Sequence, residues 1–233
     1  MKKPGRVILV LLLVFLVYQC RQKGFGTNLE KQKGACKENG GLWENGECIY
    51  STYGKPVLYL YPLTKTEVEV SFARPERLTT TYPSFTGAWK VTAYPNGDLY
   101  DKDNKYYYAL YWEEDRPKEV EFSSGFYVED HQAIAFLEDK LTIIGLNDRE
   151  RNEFIMYWLP ILETNGKSLV YFELTAQRQA GNALKIQPTP DSLLRVAIHV
   201  KRVAEKASIA EQSLTTFDRQ GFVAVEWGGV LYR

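Results

Sequence analysis

From residue 56 onward the chain keeps returning to short runs in which apolar and polar side chains alternate, and this period of two is what most limits its fold. "EVEVSF" (67–72) sets Val68, Val70 and Phe72 on one side and Glu67, Glu69 and Ser71 on the other. "AWKVTAY" (88–94) repeats the pattern and closes on the turn Pro95-Asn96-Gly97-Asp98. "KYYYALYWE" (105–113), "SLVYFELT" (168–175), "LLRVAIHV" (193–200) and "GFVAVEWGG" (221–229) follow, each bounded by Gly, Pro, Asn or Asp. "PVLYLYP" (56–62) is apolar throughout, which predicts a strand buried on both faces.

Two stretches break the alternation. After Asp130 as N-cap, Ile134, Leu137, Leu141 and Ile144 fall on one helical face, and Gly145 suits the residue that closes a helix. Asn147-Asp148-Arg149-Glu150 then reads as a capping box. Phe154, Ile155, Trp158, Leu159 and Leu162 form the stripe of a second helix, which Pro160 should kink or end and Asn165-Gly166 should close. The expected fold is α+β: a mainly antiparallel β-sheet system with an inserted two-helix hairpin covering one face.

The first twenty residues have a different logic. Lys2, Lys3 and Arg6 precede the apolar run Val7–Tyr18, whose twelve residues would reach roughly 18 Å as a helix. A bilayer core of about 30 Å calls for roughly 20. A basic start and a short apolar stretch make an export signal. Cys20 at its end resembles the cysteine of a bacterial lipoprotein signal, which becomes the lipidated first residue, although Gln19 stands where that pattern has Gly, Ala or Ser. The alternative is an uncleaved anchor with snorkelling lysines. Both imply a cell-envelope protein whose membrane partner is reached through the N-terminus.

Cys36 and Cys48 fit that compartment. Between them, Asn45-Gly46 is a two-residue hairpin signal that sets Glu44 opposite Glu47, Trp43 opposite Cys48 and Leu42 opposite Ile49. Gly40-Gly41 lets the chain bend so that the two thiols can meet, and such a bridge stabilises by roughly 3 kcal/mol. The segment resembles Cys…Gly-Gly-x-Trp…Cys loops of exported bacterial proteins. The expected organisation is a leader (1–20), a linker rich in Lys, Gln and Gly (21–35), a disulfide-closed hairpin loop (36–50) and one globular domain (51–233).

"KPVLYLYP" (55–62), "TYPSFTGAWKVTAYPNGDL" (81–99), "NEFIMYWLPILE" (152–163) and "VAVEWGG" (223–229) together resemble a family of bacterial secreted or hypothetical proteins that share a KPV-x-YLYP opening and a VEWGG ending. The resemblance spans most of 55–229 and implies a single domain. It implies no activity and carries over no catalytic residue.

Composition excludes more than it assigns. With 29 basic and 29 acidic residues the net charge is zero, and no basic stripe suits nucleic acid. No Gly-x-Ser-x-Gly elbow, zinc spacing or calcium-loop periodicity appears, and "GFGTNL" (24–29) lacks the third glycine of a dinucleotide fingerprint, so neither metal nor cofactor is expected. His131 should be solvated at a helix start, and His199 shares the polar side of its strand with Arg195. Glu226 is the one weak catalytic candidate: it follows Phe222 and Ala224 on one side of a strand, where desolvation would raise its pKa as a hydrolytic general acid requires. The plainer reading makes it a strand-end residue at the rim or a partner to Arg195. Glu113, Glu114 and Asp115 read as a solvated turn.

Sixteen tyrosines and five tryptophans favour a binding role. In "YYYALYW" (106–112), Tyr106, Tyr108, Leu110 and Trp112 alternate with Tyr107, Ala109 and Tyr111, so both faces are aromatic. One face can fill a core. The other, through Tyr107 and Tyr111, would together with Trp112 at the end of the run offer an amphipathic surface for a glycan or an envelope protein, unless the helical hairpin covers it.

Overall fold

The computed structural model describes residues 28–36, 41–44, 46–115 and 120–232. The leader with Cys20 lies outside the described residues, as does most of the first half of the expected linker. The chain divides into two compact units at Tyr50/Ser51.

In the first unit, helix α1 (28–36) occupies the second half of the stretch expected to be linker. The sequence "NLEKQKGA" lacks proline and places Glu30 one turn before Lys33, whose ammonium lies 3.1 Å from the carboxylate. The helix ends at Cys36, which is bonded to Cys48 across a Cα–Cα distance of 5.6 Å. Strands β1 (Gly41–Glu44) and β2 (Glu47–Tyr61) pair in the register that the Asn45-Gly46 turn dictates: Glu44 with Glu47, Trp43 with Cys48 and Leu42 with Ile49. Gly46 takes φ +89°, which L side chains seldom adopt.

The second unit contains the rest of β2, then β3 (Thr66–Phe72), β4 (Leu78–Tyr82), β5 (Trp89–Ala93), β6 (Leu99–Tyr100), β7 (Tyr106–Tyr107), β8 (Leu110–Glu114) and β9 (Ser124–Glu129). Helices α2 (Ala133–Ile144) and α3 (Asp148–Asn165) follow, then β10 (Lys167–Glu173), α4 (Thr175–Gly181), β11 (Leu184–Gln187), β12 (Ser192–Arg202), β13 (Ala210–Glu211) and β14 (Val223–Tyr232). The strands form two mostly antiparallel sheets, in the orders β13-β9-β10-β12-β14-β2-β8-β4 and β11-β3-β5-β6-β7. The fold is α+β and mainly sheet, as the alternation and the helical block require.

Each face of the larger sheet carries its own core. On one, Val57, Tyr59, Val196, Val225 and Trp227 pack against Leu137, Leu141, Phe154 and Trp158 of the helical hairpin. On the other, Leu58, Leu60, Leu110 and Trp112 meet Val68, Val70, Trp89 and Val91 of the smaller sheet. The continuous apolar run of β2 is thereby explained: its odd and even residues serve different cores, and Val57 to Leu60 are all buried.

The helices depart from expectation in detail. A short 3₁₀ turn (Asp130–Gln132), capped by Glu129 rather than Asp130, precedes α2, and Ala133 takes the inward position while Ile134 is exposed. Asn147 and Glu150 form the expected capping box. Pro160 does not end α3. The carbonyl it leaves without an intrahelical donor belongs to Met156, on the exposed side, while the buried stripe Phe154, Trp158 and Leu162 runs on.

A candidate binding cleft lined by tyrosine

The aromatic run 105–113 is two strands rather than one. Tyr106 and Tyr107 pair with Tyr100 and Leu99 in the smaller sheet, the chain then crosses over at Tyr108-Ala109, and Leu110 and Tyr111 pair with β2 in the larger. The crossing resets the alternation and overturns part of the expected surface. Trp112 is fully buried between the sheets, with its indole N–H donating to Glu114 Oε1 at 3.0 Å, so it offers nothing to solvent. Tyr107 and Tyr111 do line a cleft of about 600 Å³, together with Tyr82, Tyr106, Tyr108, Tyr157, Lys55, Val57, Ala109 and Glu113. Its size is that of a small-molecule or oligomer site.

Six tyrosines converge there from β4, β7, the crossover, β8 and α3. Tyr82, Tyr106 and Tyr108 are 54, 48 and 40% exposed, whereas Tyr107 is buried to its edge and Tyr111 is half-buried. Tyr82 and Tyr107 meet edge to face at 5.5 Å. Cations already rest on these rings: Lys105 Nζ lies 5.6 and 5.4 Å from the Tyr82 and Tyr107 centroids, and the Arg149 guanidinium 5.0 Å from Tyr108. Lys55 Nζ lies 5.8 Å from Tyr157 and 5.5 Å from Trp227.

Lys55 owes its position to an irregularity in the pairing of β2 with β14. Val57 pairs with Trp227, but the next pair is Gly54 with Gly229, so Lys55 and Pro56 stand opposite Gly228 alone. Such a bulge re-aims a side chain. Lys55 takes the left-handed φ of +48°, uncommon for a residue with a Cβ. The glycines opposite make room. A Cβ on Gly228 would sit 3.0 Å from Pro56 Cα, and one on Gly229 would overlap Trp158 and the Ile198 carbonyl. The "KPV" and "EWGG" segments are therefore cross-strand partners at the edge of the cleft.

Glu113 is the carboxylate of this site. Its Oε1 accepts from the Lys55 N–H at 3.1 Å and from the Tyr111 hydroxyl at 2.7 Å, and no described residue donates to Oε2. Burial pushes its carboxyl above the usual value despite those two hydrogen bonds. The solvated turn expected at 113–115 is thus half-buried where it meets the cleft.

Glu226, by contrast, lies in the interior and lines no part of this cleft. Its Oε1 accepts from Arg178 Nη2 at 2.7 Å and its Oε2 from Arg195 Nε at 2.8 Å. Burial alone would raise its carboxyl, but Arg178 and Arg195 outweigh it and hold the group below its ordinary value. The raised pKa that a general acid needs is absent, and the pairing with Arg195 is the plainer reading of the residue. Arg195 Nη1 also donates to Gln179 Oε1 at 2.6 Å and to the Asn182 carbonyl at 2.8 Å. Burial lowers Arg195, from a value high enough that the guanidinium stays charged.

His199 corrects the expectation of exposure. It is buried, with Nδ1 2.9 Å from the Tyr232 hydroxyl and Nε2 3.3 Å from Glu173 Oε2, and burial holds its pKa down. The physical reason covers Arg195 and Glu226 as well: α4 packs on β12 and supplies Arg178, so the polar side of β12 and β14 faces an interior. Polar residues there mark an internal network rather than a solvent side. His131 is exposed at its helix start, as expected. Among the described residues no group of three or more His, Cys, Asp or Glu could hold a metal ion.

Comparison with family models, with curated proteins and with solved structures gives no significant match to this chain. The tyrosine cleft has to be read from its own chemistry.

Proposed function

We propose that this chain is a cell-envelope recognition domain without catalytic activity, held at a membrane through its N-terminal segment and engaging a glycan or an envelope protein in the tyrosine cleft. The observation that carries the reading is the convergence of six tyrosines on one cleft with a single lysine and a single carboxylate among them. Rigid amphipathic rings give contact area at low entropic cost, and a few placed polar groups give direction. The hydrolase alternative through Glu226 loses support, because that carboxylate is enclosed and doubly ion-paired. Support for the compartment comes from the basic start, the apolar run closed by Cys20, and the Cys36–Cys48 bridge. The membrane attachment, by lipid on Cys20 or by an uncleaved leader, belongs to the same proposal.

Two measurements test it. Mass spectrometry of membrane-extracted protein should find either an acylated Cys20 or an intact leader; a cytosolic pool with reduced Cys36 and Cys48 would overturn the compartment. Ligand screening by tyrosine NMR should perturb Tyr82, Tyr108 and Tyr111 together, and a ligand that instead perturbs only rings remote from the cleft would overturn the site.

A further inference from the structure

Resting on that reading of the cleft, we propose that its ligand is an uncharged saccharide, stacked on Tyr82 and Tyr108 and hydrogen-bonded through its hydroxyls to Glu113 and Lys55. Three observations select this chemistry. First, Tyr82, Tyr106 and Tyr108 present ring area to solvent and are large and half-exposed, suited to the C–H faces of a pyranose. Second, the lining carries one lysine and one glutamate, and the neighbouring cations Lys105 and Arg149 already rest on its rings, Arg149 being paired with Glu153. A cationic ligand would meet rings that already face Lys105, Arg149 and Lys55. An anionic ligand would meet a Glu113 carboxylate already burdened by desolvation. Third, the polar atoms suit hydroxyl groups, which both donate and accept. Glu113 Oε2 lacks a donor among the described residues, and the Lys55 ammonium has three protons to give. A wholly apolar ligand would leave both unsatisfied.

The backbone supports the same assignment. The bulge opposite Gly228 places the Lys55 N–H on Glu113 Oε1, so the residue that fixes the acceptor also sends its ammonium to the same cleft, against Tyr157. Saccharide hydroxyls can donate to Glu113 Oε2 and accept from Lys55 Nζ, which line the same cleft.

The test uses the full chain in a detergent without a sugar headgroup. It is titrated separately with linear oligosaccharides of glucose and of N-acetylglucosamine, with oligogalacturonate, with tetramethylammonium, and with an aromatic-rich peptide. Tyrosine NMR and calorimetry report binding. A neutral oligosaccharide should saturate, with an affinity insensitive to salt. Tyr108→Ala should weaken it about tenfold through the lost stacking face, and Glu113→Gln and Lys55→Met each by several-fold, with a cooperative melting transition showing that each variant is folded. If only the acidic sugar, the cation or the peptide perturbs the cleft tyrosines, the saccharide assignment falls and the cleft reading stands. If a neutral saccharide binds the variants as tightly as the parent, it binds elsewhere and the assignment falls. If no probe perturbs any cleft tyrosine, both fall.

Discussion

Glu226 and Glu113 stand on strands of the same sheet and point to opposite sides of it. Glu226 looks into the interior beneath α4, where Arg178 and Arg195 each give it a hydrogen bond shorter than 3 Å. Glu113 looks toward the helical side, at the wall of a cleft, with a tyrosine hydroxyl and one backbone N–H as its donors. The more deeply buried carboxylate has the lower pKa and the less buried one the higher. Burial therefore does not by itself set a carboxylate's chemistry; the charge of its donors does. One glutamate is a structural tie. The other keeps an oxygen to which no described residue donates, and the side chain that does donate to it is a tyrosine, which supplies a hydrogen bond without supplying charge.

The largest test of this contrast is Glu226→Gln. Removing the negative charge between two buried guanidinium groups takes Arg195 from its ion-pair partner and leaves Arg178 the more distant Glu173 at 3.8 Å, and breaking a buried pair in this way costs about 3–5 kcal/mol. Urea unfolding should show that loss, and a loss within about 0.5 kcal/mol, the range of an ordinary surface change, would mean the trio is not the tie its distances describe. Next is Gly229→Ala, on the same strand but on the side of Trp158. Its new methyl overlaps the indole and the Ile198 carbonyl, and overpacking of this kind costs about 1–3 kcal/mol. The same change should loosen the bulge that holds Lys55 over the cleft, so slower binding or weaker binding should accompany the lower melting temperature.

Acidity separates the two glutamates by sign. The Glu226 carboxyl lies below the ordinary 4.5 in the folded chain, so its contribution is present in full above that value and drains away as the pH falls through the lower, folded one. The Glu113 carboxyl lies above 4.5, so its contribution is full below that value and is lost as the pH rises through the higher, folded one. Melting curves against pH should therefore lose part of their acid-side decline in Glu226→Gln and part of their decline above 4.5 in Glu113→Gln. Slopes of the same sign would erase the distinction.

What the sequence made legible divides along a physical line. Local chemistry was readable: the Asn45-Gly46 register, the Cys36–Cys48 pairing, the capping box at Asn147 and the double burial of "VLYL" all follow from neighbours a few residues away. What was not readable depends on a covering layer. Arg195, His199 and Glu226 alternate with aliphatic residues as a half-solvated strand does, and nothing local announces that α4 and its Arg178 will close over them. The "LTAQRQAG" segment is too short and too polar for a periodicity argument, so the Arg195–Glu226 pair was readable across the sheet while the helix and its Arg178 were missed together. The tyrosine site was half legible. The density of aromatics pointed to it, but the crossover at Tyr108-Ala109 between two sheets moved Trp112 inward and brought Tyr82 and Tyr157 in from distant sequence. One signal could have found Lys55: a Gly-Lys-Pro facing a Gly-Gly pair, an arrangement that favours a bulge over a regular ladder.

The smallest expected effect is the most discriminating. At neutral pH, Glu113→Gln keeps an oxygen to accept from Lys55 and Tyr111 while removing a carboxylate that burial disfavours. Thermal and urea unfolding should change by no more than about 0.5 kcal/mol, in the stabilising direction. A charge kept where the fold does not need it is the pattern of a site maintained for binding, since stability and function pull apart there. The same substitution at Glu226 should be severe, because there the charge is what two arginines require. Were Glu113→Gln to cost as much as Glu226→Gln, both carboxylates would be ties of the fold, and the cleft would lose the one acceptor that gives its ring of tyrosines a direction.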